Sequence, residues 1–233
     1  MKDYSQLWCV VPAAGIGARM GAEVPKQYIP INGLSILERT LSVLLNTNLF
    51  ERIVVAISSQ DEWFAQLPIS QHEKIVAVRG GEHRSDSVMA GLDYLSNYSK
   101  ASDWVMVHDA ARPFVKKESI AHLFECVREK NTGGILAVPV TDTLKRSSLT
   151  QHIEKTVSRE NMWQAQTPQC FSFEILRNAL THCNTQNLPI TDEASAIEAV
   201  GLDCLLVLGR ADNIKITHPE DLLFAEFIAE QQK

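Results

Sequence analysis

No apolar run in this 233-residue sequence approaches the about 18–20 residues of a membrane-spanning helix. The N-terminal MKDYSQLWCV has no apolar h-region, so a secretory signal is not expected. CxxC, HExxH and paired His/Cys spacings are all absent, which argues against structural zinc. The five cysteines, Cys9, Cys126, Cys170, Cys183 and Cys204, are odd in number and widely spaced. That usage fits reduced, mostly buried thiols in a cytoplasmic protein. Positive charge is not in excess either. A net charge of −6 argues against a protein that coats nucleic acid or anionic membrane, because both rely on broad basic surfaces. A small anionic ligand stays possible, since a few local cations and backbone N–H groups suffice for it. There is no internal repeat, no low-complexity segment and no GxxxxGK[ST] loop.

Apolar residues make up 45% of the chain and charged residues 21%, enough for a sizeable core and too few charges for global disorder. Short β-branched runs recur: WCVVPA (8–13), RIVVAIS (52–58), KIVAVRG (74–80), DWVMVHDA (103–110), GGILAVPV (133–140) and CLLVLG (204–209). Between them lie amphipathic stretches that predict helices: SILERTLSVLLN, RSDSVMAGLDYLSNY, KESIAHLFECVREK, SFEILRNALTHC and TDEASAIEAVG. HPEDLLFAEFIAEQQ predicts a closing helix, with proline in its first turn and acids near its start. Strands apolar on both faces and separated by helices indicate a mostly parallel sheet covered on both sides. The expected fold is therefore a single three-layer α/β/α domain over residues 1–233.

Residues 141–170, TDTLKRSSLTQHIEKTVSRENMWQAQTPQC, break this rhythm and show no helical apolar face. Their β-formers flank a polar turn at Arg146–Gln151, which predicts a protruding β-arm. A two-stranded arm is barely stable alone in water, so it is expected to pack on something, a second subunit first of all. A disordered surface loop is the other reading.

In open α/β sheets, ligands sit beyond the carboxyl ends of the strands, and VVPAAGIGARMGAEVPKQY (10–28) follows the first strand there. Alanine and glycine in this loop let backbone N–H groups approach an anion closely. A GxGxxG dinucleotide loop would carry its third glycine where Met20 stands. Instead, Arg19 and Lys26 bracket the loop, two cations seven residues apart. They suit a triphosphate whose charge is redistributed during phosphoryl chemistry; a glycine-rich turn with solvated basic residues is the plainer reading.

VHDAARPF places Asp109 just past a buried strand end. That is a natural Mg²⁺ position, because Mg²⁺ takes one or two carboxylates plus phosphate oxygens. Arg112 lies near enough to meet an anionic second substrate, whereas His108 reads more readily as a hydrogen-bonded structural histidine than as a ligand. In GGEHRSDSV (80–88), two glycines leave room for a flat ligand against the backbone, and Glu82 and Ser87 offer hydrogen bonds. A plain helix cap at Ser85 or Asp86 explains the same polar cluster. Lys215 falls in an alternating strand-like pattern in GRADNIKIT, facing solvent or the strand-end cleft, with solvent the commoner outcome. ITDEASAIEAVG opens with Thr191 as a helix cap, then Asp192 and Glu193 in the first turn, which is sound helix-start chemistry in itself.

Taken in order, PAAGIGARM…PKQY, GGEHRSDSV, VHDAARP, PVTDTLK, TVSRENMWQAQTPQ, TDEASA and GRADNIKIT resemble the 2-C-methyl-D-erythritol 4-phosphate cytidylyltransferases of the non-mevalonate isoprenoid pathway. The resemblance runs from about Cys9 to Glu226. It implies a Rossmann-like nucleotidyltransferase fold, a homodimer joined through the arm, and transfer of CMP from CTP to methylerythritol phosphate with Mg²⁺ as cofactor. It also assigns residues: Ala13, Ala14, Gly15 and Gly17 to the triphosphate, Arg19, Lys26 and Lys215 as catalytic cations, and Gly81, Glu82 and Ser87 to cytosine and ribose. Asp109 would hold Mg²⁺. Arg112, Thr167, Thr191 and Lys215 would line the acceptor site, and Thr143 and Arg159 would arrive on the arm of the other subunit. Glu82 departs from the family's usual Asp by one methylene, which preserves the hydrogen bond.

Three rivals remain at this point. A cytidylyltransferase for another polyol phosphate, such as ribitol 5-phosphate, would share the nucleotide motifs but differ on the arm and around Thr167, Thr191 and Lys215. A noncatalytic nucleotide sensor would have lost the cations or Asp109, yet all are present. An NAD-dependent dehydrogenase would carry the third glycine and an acid about 20 residues beyond the loop; Glu38 is near that distance but inside a predicted helix.

Overall fold

Strand β1 (Leu7–Pro12) sends alternate side chains to opposite faces of a central sheet. In this computed structural model, which describes residues 5–15 and 24–231, Cys9 and Val11 enter one buried cluster, and Trp8 and Val10 enter another. The sheet continues through β4 (Ile53–Ile57), β5 (Ile75–Arg79), β6 (Trp104–Val107), β7 (Gly134–Pro139), β10 (Trp163–Ser172) and β11 (Leu205–Leu208). Its strand order is β11-β7-β10-β6-β1-β4-β5. Pairing is parallel except at β10, which runs antiparallel between β6 and β7.

Both faces are covered. The amphipathic helices α1 (Ile36–Asn46) and α3 (Lys117–Lys130) bury Leu37, Leu41, Leu44, Ile120, Leu123 and Val127 on the Cys9 side. Helices α2 (Arg84–Leu95), α4 (Phe173–Thr185) and α5 (Glu193–Ala199) cover the Val10 side. Helix α6 (Asp221–Glu230) closes a smaller cluster against Ile31, in the short hairpin of β2 (Pro30–Ile31) and β3 (Leu34–Ser35). That hairpin delivers Ser35 as the cap of α1, and Glu38 reaches back to the Ser35 N–H at 2.9 Å. Glu38 is thereby committed to a capping box, which removes it as a dinucleotide-binding acid.

The segment 141–170 needs correcting. Its first part is an ordered hairpin of β8 (Leu144–Ser147) and β9 (Ile153–Val157), paired within its own two-stranded sheet and exposed along nearly all its length. Its last part is not arm at all, because residues from Trp163 onward form β10, inside the main sheet. Gln166, Thr167 and Gln169 are buried there. Their polar side chains are tolerated because each is hydrogen-bonded to neighbouring elements.

Candidate active site

The carboxyl ends of β1, β5 and β6 open into a cleft of ≈ 330 Å³ lined by residues of the loops that follow them. From the first loop come Pro12, Ala13, Ala14 and Gly15; Gly17 and Arg19 lie outside the described residues. Ala13 is tied into the framework on both sides. Its N–H donates to the Ala56 carbonyl at 2.8 Å, and its carbonyl accepts from buried Gln27 at 2.7 Å. Ala13, Ala14 and Gly15 all line the cleft, but the Ala13 N–H is committed to the framework. Gln27 belongs to a short 3-10 turn, Lys26–Tyr28, which also sets Lys26 on the cleft wall. The Lys26 ammonium donates to the Ile216 carbonyl at 3.2 Å.

The loop after β5 brings Gly81, Glu82, His83, Arg84 and Ser87 to the opposite wall. Its glycines serve the protein's own packing. A Cβ on Gly80 would stand 2.7 Å from both the Ala14 Cβ and the Ser87 hydroxyl, and one on Gly81 would collide with Asp86. Gly80 thus lets the first loop and the start of α2 close on each other. The Gly81 N–H donates to the buried Ser87 hydroxyl at 3.2 Å, while Glu82 is exposed at the rim. Neither Ser85 nor Asp86 is the N-cap of α2. His83 occupies that position, and Asp86 accepts from the His83 N–H at 3.0 Å.

Asp109 stands at the floor, where three cations converge. Arg84 Nε lies 2.9 Å from Oδ1, Lys215 Nζ 2.9 Å from Oδ2, and Arg112 Nε 3.6 Å from Oδ2. Burial pushes the Asp109 carboxyl up, but the neighbouring Arg84, Lys215 and Arg112 outweigh it and hold the group well below the usual carboxylate range. Arg84 also grips Glu193, the first residue of α5, through two bonds of 2.6 and 3.0 Å. Burial pulls the Arg84 guanidinium down, yet the two carboxylates together raise it above its ordinary value.

Lys215 occupies an irregular segment rather than a strand, and it faces the cleft rather than solvent. The backbone there is anchored by Ile216 N–H donating to the Ala111 carbonyl at 2.9 Å. His108 is a structural histidine. Its Nε2 lies 3.0 Å from the Arg112 carbonyl, so Nε2 carries the proton, and Nδ1 accepts from the Thr167 hydroxyl at 3.0 Å. That hydroxyl in turn accepts from the Asp109 N–H at 3.0 Å. Burial holds His108 down at about 4, so the ring is neutral near pH 7.

The remaining expected residues divide. Thr167 is buried behind Asp109, its hydroxyl donating to His108 and accepting from the Asp109 N–H, so it positions Asp109 and is not among the residues lining the cleft. Arg112 donates from Nη1 to the Asn213 carbonyl at 2.7 Å and stands beside Asp109. Thr191 is exposed and does not cap α5. Asp192 does, accepting from Ser195 N–H at 2.9 Å. Thr191 instead borders a neighbouring cavity of ≈ 580 Å³ that shares His83 and Arg84 with the cleft. Thr143 and Arg159 are exposed in the segment of the β8–β9 hairpin and do not line the cleft of their own chain. Arg84 and Gln27 carry no assignment in the sequence reading, and Glu193 carries only that of a helix-start acid. A readable signal existed for Arg84: a cation in the first turn of a helix opposes the helix dipole, so it needs an anionic partner.

Asp109 is also the residue best placed for a divalent cation. Among the described residues no group of three or more His, Cys, Asp and Glu side chains is assembled. A dication here would take one carboxylate and fill its remaining positions with phosphate oxygens and water, the ligand set of Mg²⁺. Each Asp109 oxygen has a cation neighbour already and still keeps a further acceptor position, since a carboxylate offers about four. The donor set therefore fits Mg²⁺ bound together with a nucleotide.

Comparison with known proteins places this cleft in a known setting. A family model described as 2-C-methyl-D-erythritol 4-phosphate cytidylyltransferase matches residues 7–231. The protein of that name from Vibrio vulnificus (strain YJ016) is 47% identical over 232 residues, covering 100% of this chain and 98% of the relative. That from Shewanella frigidimarina is 50% identical over 223 residues, with 96% of each covered. A crystal structure of the Francisella tularensis protein superposes with a TM-score of 0.85 at 40% identity, covering 96% of this chain and 99% of that one. On these matches, which run through every loop of the cleft, the chain belongs to the 2-C-methyl-D-erythritol 4-phosphate cytidylyltransferase family.

Proposed function

We propose that this chain transfers the CMP moiety of CTP to 2-C-methyl-D-erythritol 4-phosphate, releasing pyrophosphate and forming 4-diphosphocytidyl-2-C-methyl-D-erythritol for isoprenoid precursor synthesis. The observation that carries the reading is the convergence of Lys26, Arg84 and Lys215 on one strand-end cleft, with Arg112 beside the Asp109 at its floor, in a chain of net charge −6. Such a cleft favours two polyanions meeting.

The reaction is an in-line displacement. A 4-phosphate oxygen of the acceptor forms a bond to the α-phosphorus of CTP, and the bond from that phosphorus to the α,β-bridging oxygen breaks. The nucleophile is already an ionised phosphate, so a general base has no part to play, and His108, buried and neutral, is held in a structural role. Ala13, Ala14 and Gly15 line the triphosphate, while Lys26 and Lys215, together with Arg19 as the family resemblance assigns it, balance charge on the departing pyrophosphate. Gly81, Glu82 and Ser87 read the base and ribose from the facing wall. When bound at Asp109 with the nucleotide, Mg²⁺ supplies charge neutralisation to the phosphate oxygens.

On the acceptor side stand Arg112 and Thr191, completed by Thr143 and Arg159 from the arm of a second subunit. An exposed hairpin whose two strands pair with each other gains its stability from such docking. Five unpaired cysteines, three of them buried, suit the reducing cytoplasm, and among the described residues no helix is long and apolar enough to cross a membrane. Pyrophosphate release measured with each of four nucleoside triphosphates, and with methylerythritol phosphate or ribitol 5-phosphate as acceptor, tests the assignment. Release with CTP and methylerythritol phosphate is expected, and release with ribitol 5-phosphate alone would overturn it.

A further inference from the structure

Glu193 lies beneath the neighbouring cavity, with its side chain 1% exposed, and does not line the CTP cleft. Both its oxygens accept from the terminal nitrogens of Arg84, at 2.6 and 3.0 Å. The remaining edge of that guanidinium, Nε, reaches Asp109 Oδ1 at 2.9 Å. One cation thus joins two carboxylates that come from different elements. The frame around Glu193 is stiff. Asp192 caps α5, and buried Gln169 of β10 accepts from the Ala194 N–H at 3.0 Å while donating to Asp192 at 2.9 Å. Gln169 is itself paired in register with Val107, two residues before Asp109.

This geometry divides the guanidinium between its partners. Glu193 takes the Nη1/Nη2 edge with two bonds, which engages the Nη2 that a two-bond side-on clasp of Asp109 would need and leaves Asp109 a single Nε bond. Resting on the reading of Asp109 as the Mg²⁺ ligand, we infer that Glu193 is a positioning residue that limits how tightly Arg84 holds Asp109. By doing so it keeps that carboxylate available to a metal–nucleotide complex. Without the Glu193 charge, the fork has no anionic partner among the described residues as near as Asp109. It would turn to Asp109 and compete with the dication for the same oxygens.

The inference predicts opposite signs at the two ends of one ion pair, which a purely structural salt bridge does not. Breaking a structural pair from either end loosens the site and weakens binding both times. The experiment is Mn²⁺ binding to the full-length protein at saturating CTP without acceptor, read by electron paramagnetic resonance as the fall in free Mn²⁺ below that in the same CTP solution without protein, so that no turnover is required. Glu193→Gln is expected to weaken Mn²⁺ binding about tenfold, the order of one charge-assisted hydrogen bond. Arg84→Gln is expected to tighten it, and the double variant to behave like Arg84→Gln. Weaker binding in both single variants, or no change in Glu193→Gln, overturns the inference. If Glu193→Gln does not fold, Arg84→Gln decides alone: tighter binding supports the inference and weaker binding overturns it. Asp109→Asn separates this inference from the reading under it. Mn²⁺ binding that survives Asp109→Asn removes both, whereas binding lost there, with same-sign shifts at Glu193 and Arg84, removes the inference alone.

Discussion

Replacing Gly80 by alanine puts a methyl group where the structure has no room for one. The new Cβ would stand 2.7 Å from the Ala14 Cβ, 2.7 Å from the Ser87 hydroxyl and 3.3 Å from the Ser87 Cβ. Gly80 cannot back away easily, because its N–H is bonded to the Ile57 carbonyl at 2.7 Å, at the end of β4. Nor can Ser87 swing clear without losing the Gly81 N–H that donates to it. The loop carrying Ala14 must therefore move, and it is the loop that faces the triphosphate. Overpacking of this kind costs about 1–3 kcal/mol, offset by about 0.4–1 kcal/mol because alanine restricts the unfolded chain more than glycine does. A net loss of about 1–2 kcal/mol lowers Tm by about 3–6 °C in a chain of this length. The functional effect should be selective, with KM for CTP rising about tenfold as the loop is displaced and KM for the acceptor unmoved. Thermal melts and initial-rate kinetics measure both quantities. Adding Ala14→Gly removes one of the two close contacts and should restore a good part of the loss, a coupling that a double-mutant cycle reads directly. A Gly80→Ala protein with wild-type Tm and wild-type KM for CTP would refute the reasoning, as would a double variant no better than the single.

Lys26→Ala should lower kcat by about 10²–10³ if the ammonium stabilises the departing pyrophosphate; near-wild-type turnover in a pyrophosphate-release assay would remove it from the machinery. Arg159→Glu and Lys26→Ala chains, each inactive alone, should regain activity when mixed and allowed to exchange subunits, since one of the two sites then has an intact core and an intact arm. No recovery despite demonstrated exchange places Arg159 outside the other subunit's site. Stability should fall as pH drops from about 6.5 to about 4, because the unfolded chain protonates His108 first while burial keeps the folded ring neutral down to about 4. The loss attributable to this one ring approaches about 3 kcal/mol at the lower end. His108→Gln should flatten the slope of Tm against pH in that window, and an unchanged slope would assign the acid sensitivity elsewhere.

How far the sequence could be read depended on whether a residue's role is local. Six sheet strands were legible because each is a short apolar run; five match to within one residue at each end, whereas the run DWVMVHDA overshoots β6 by three residues, since the chain leaves the sheet after Val107. Strand β10 was not, although it lies deeper in the sheet than most of them. Its sequence, WQAQTPQCFS, is polar enough to pass for an arm, and what makes it a strand is long-range: Gln169 braces α5, Gln166 bonds the Arg210 carbonyl, and Thr167 supports Asp109. The site shows the same division. Asp109 and Lys26 announced themselves by position after a strand or beside a glycine loop. The motif around Lys215 favours solvent by itself, and only the family resemblance assigns this lysine to the site, because its pairing with Asp109 spans 106 positions and leaves no local trace. Glu193 was consistent with ordinary helix-start chemistry, and its frequency at such positions hid a contact to Arg84 that no periodicity encodes. The residues that were hard to read are thus the buried polar ones, whose hydrogen bonds are made to elements far away in the chain. They are also the ones that hold the legible residues in place. An unpaired buried charge is costly, so Asp109 can stay ionised beneath the cleft because Arg84, Lys215 and Arg112 surround it, and Arg84 can serve that role because Glu193 holds its other edge.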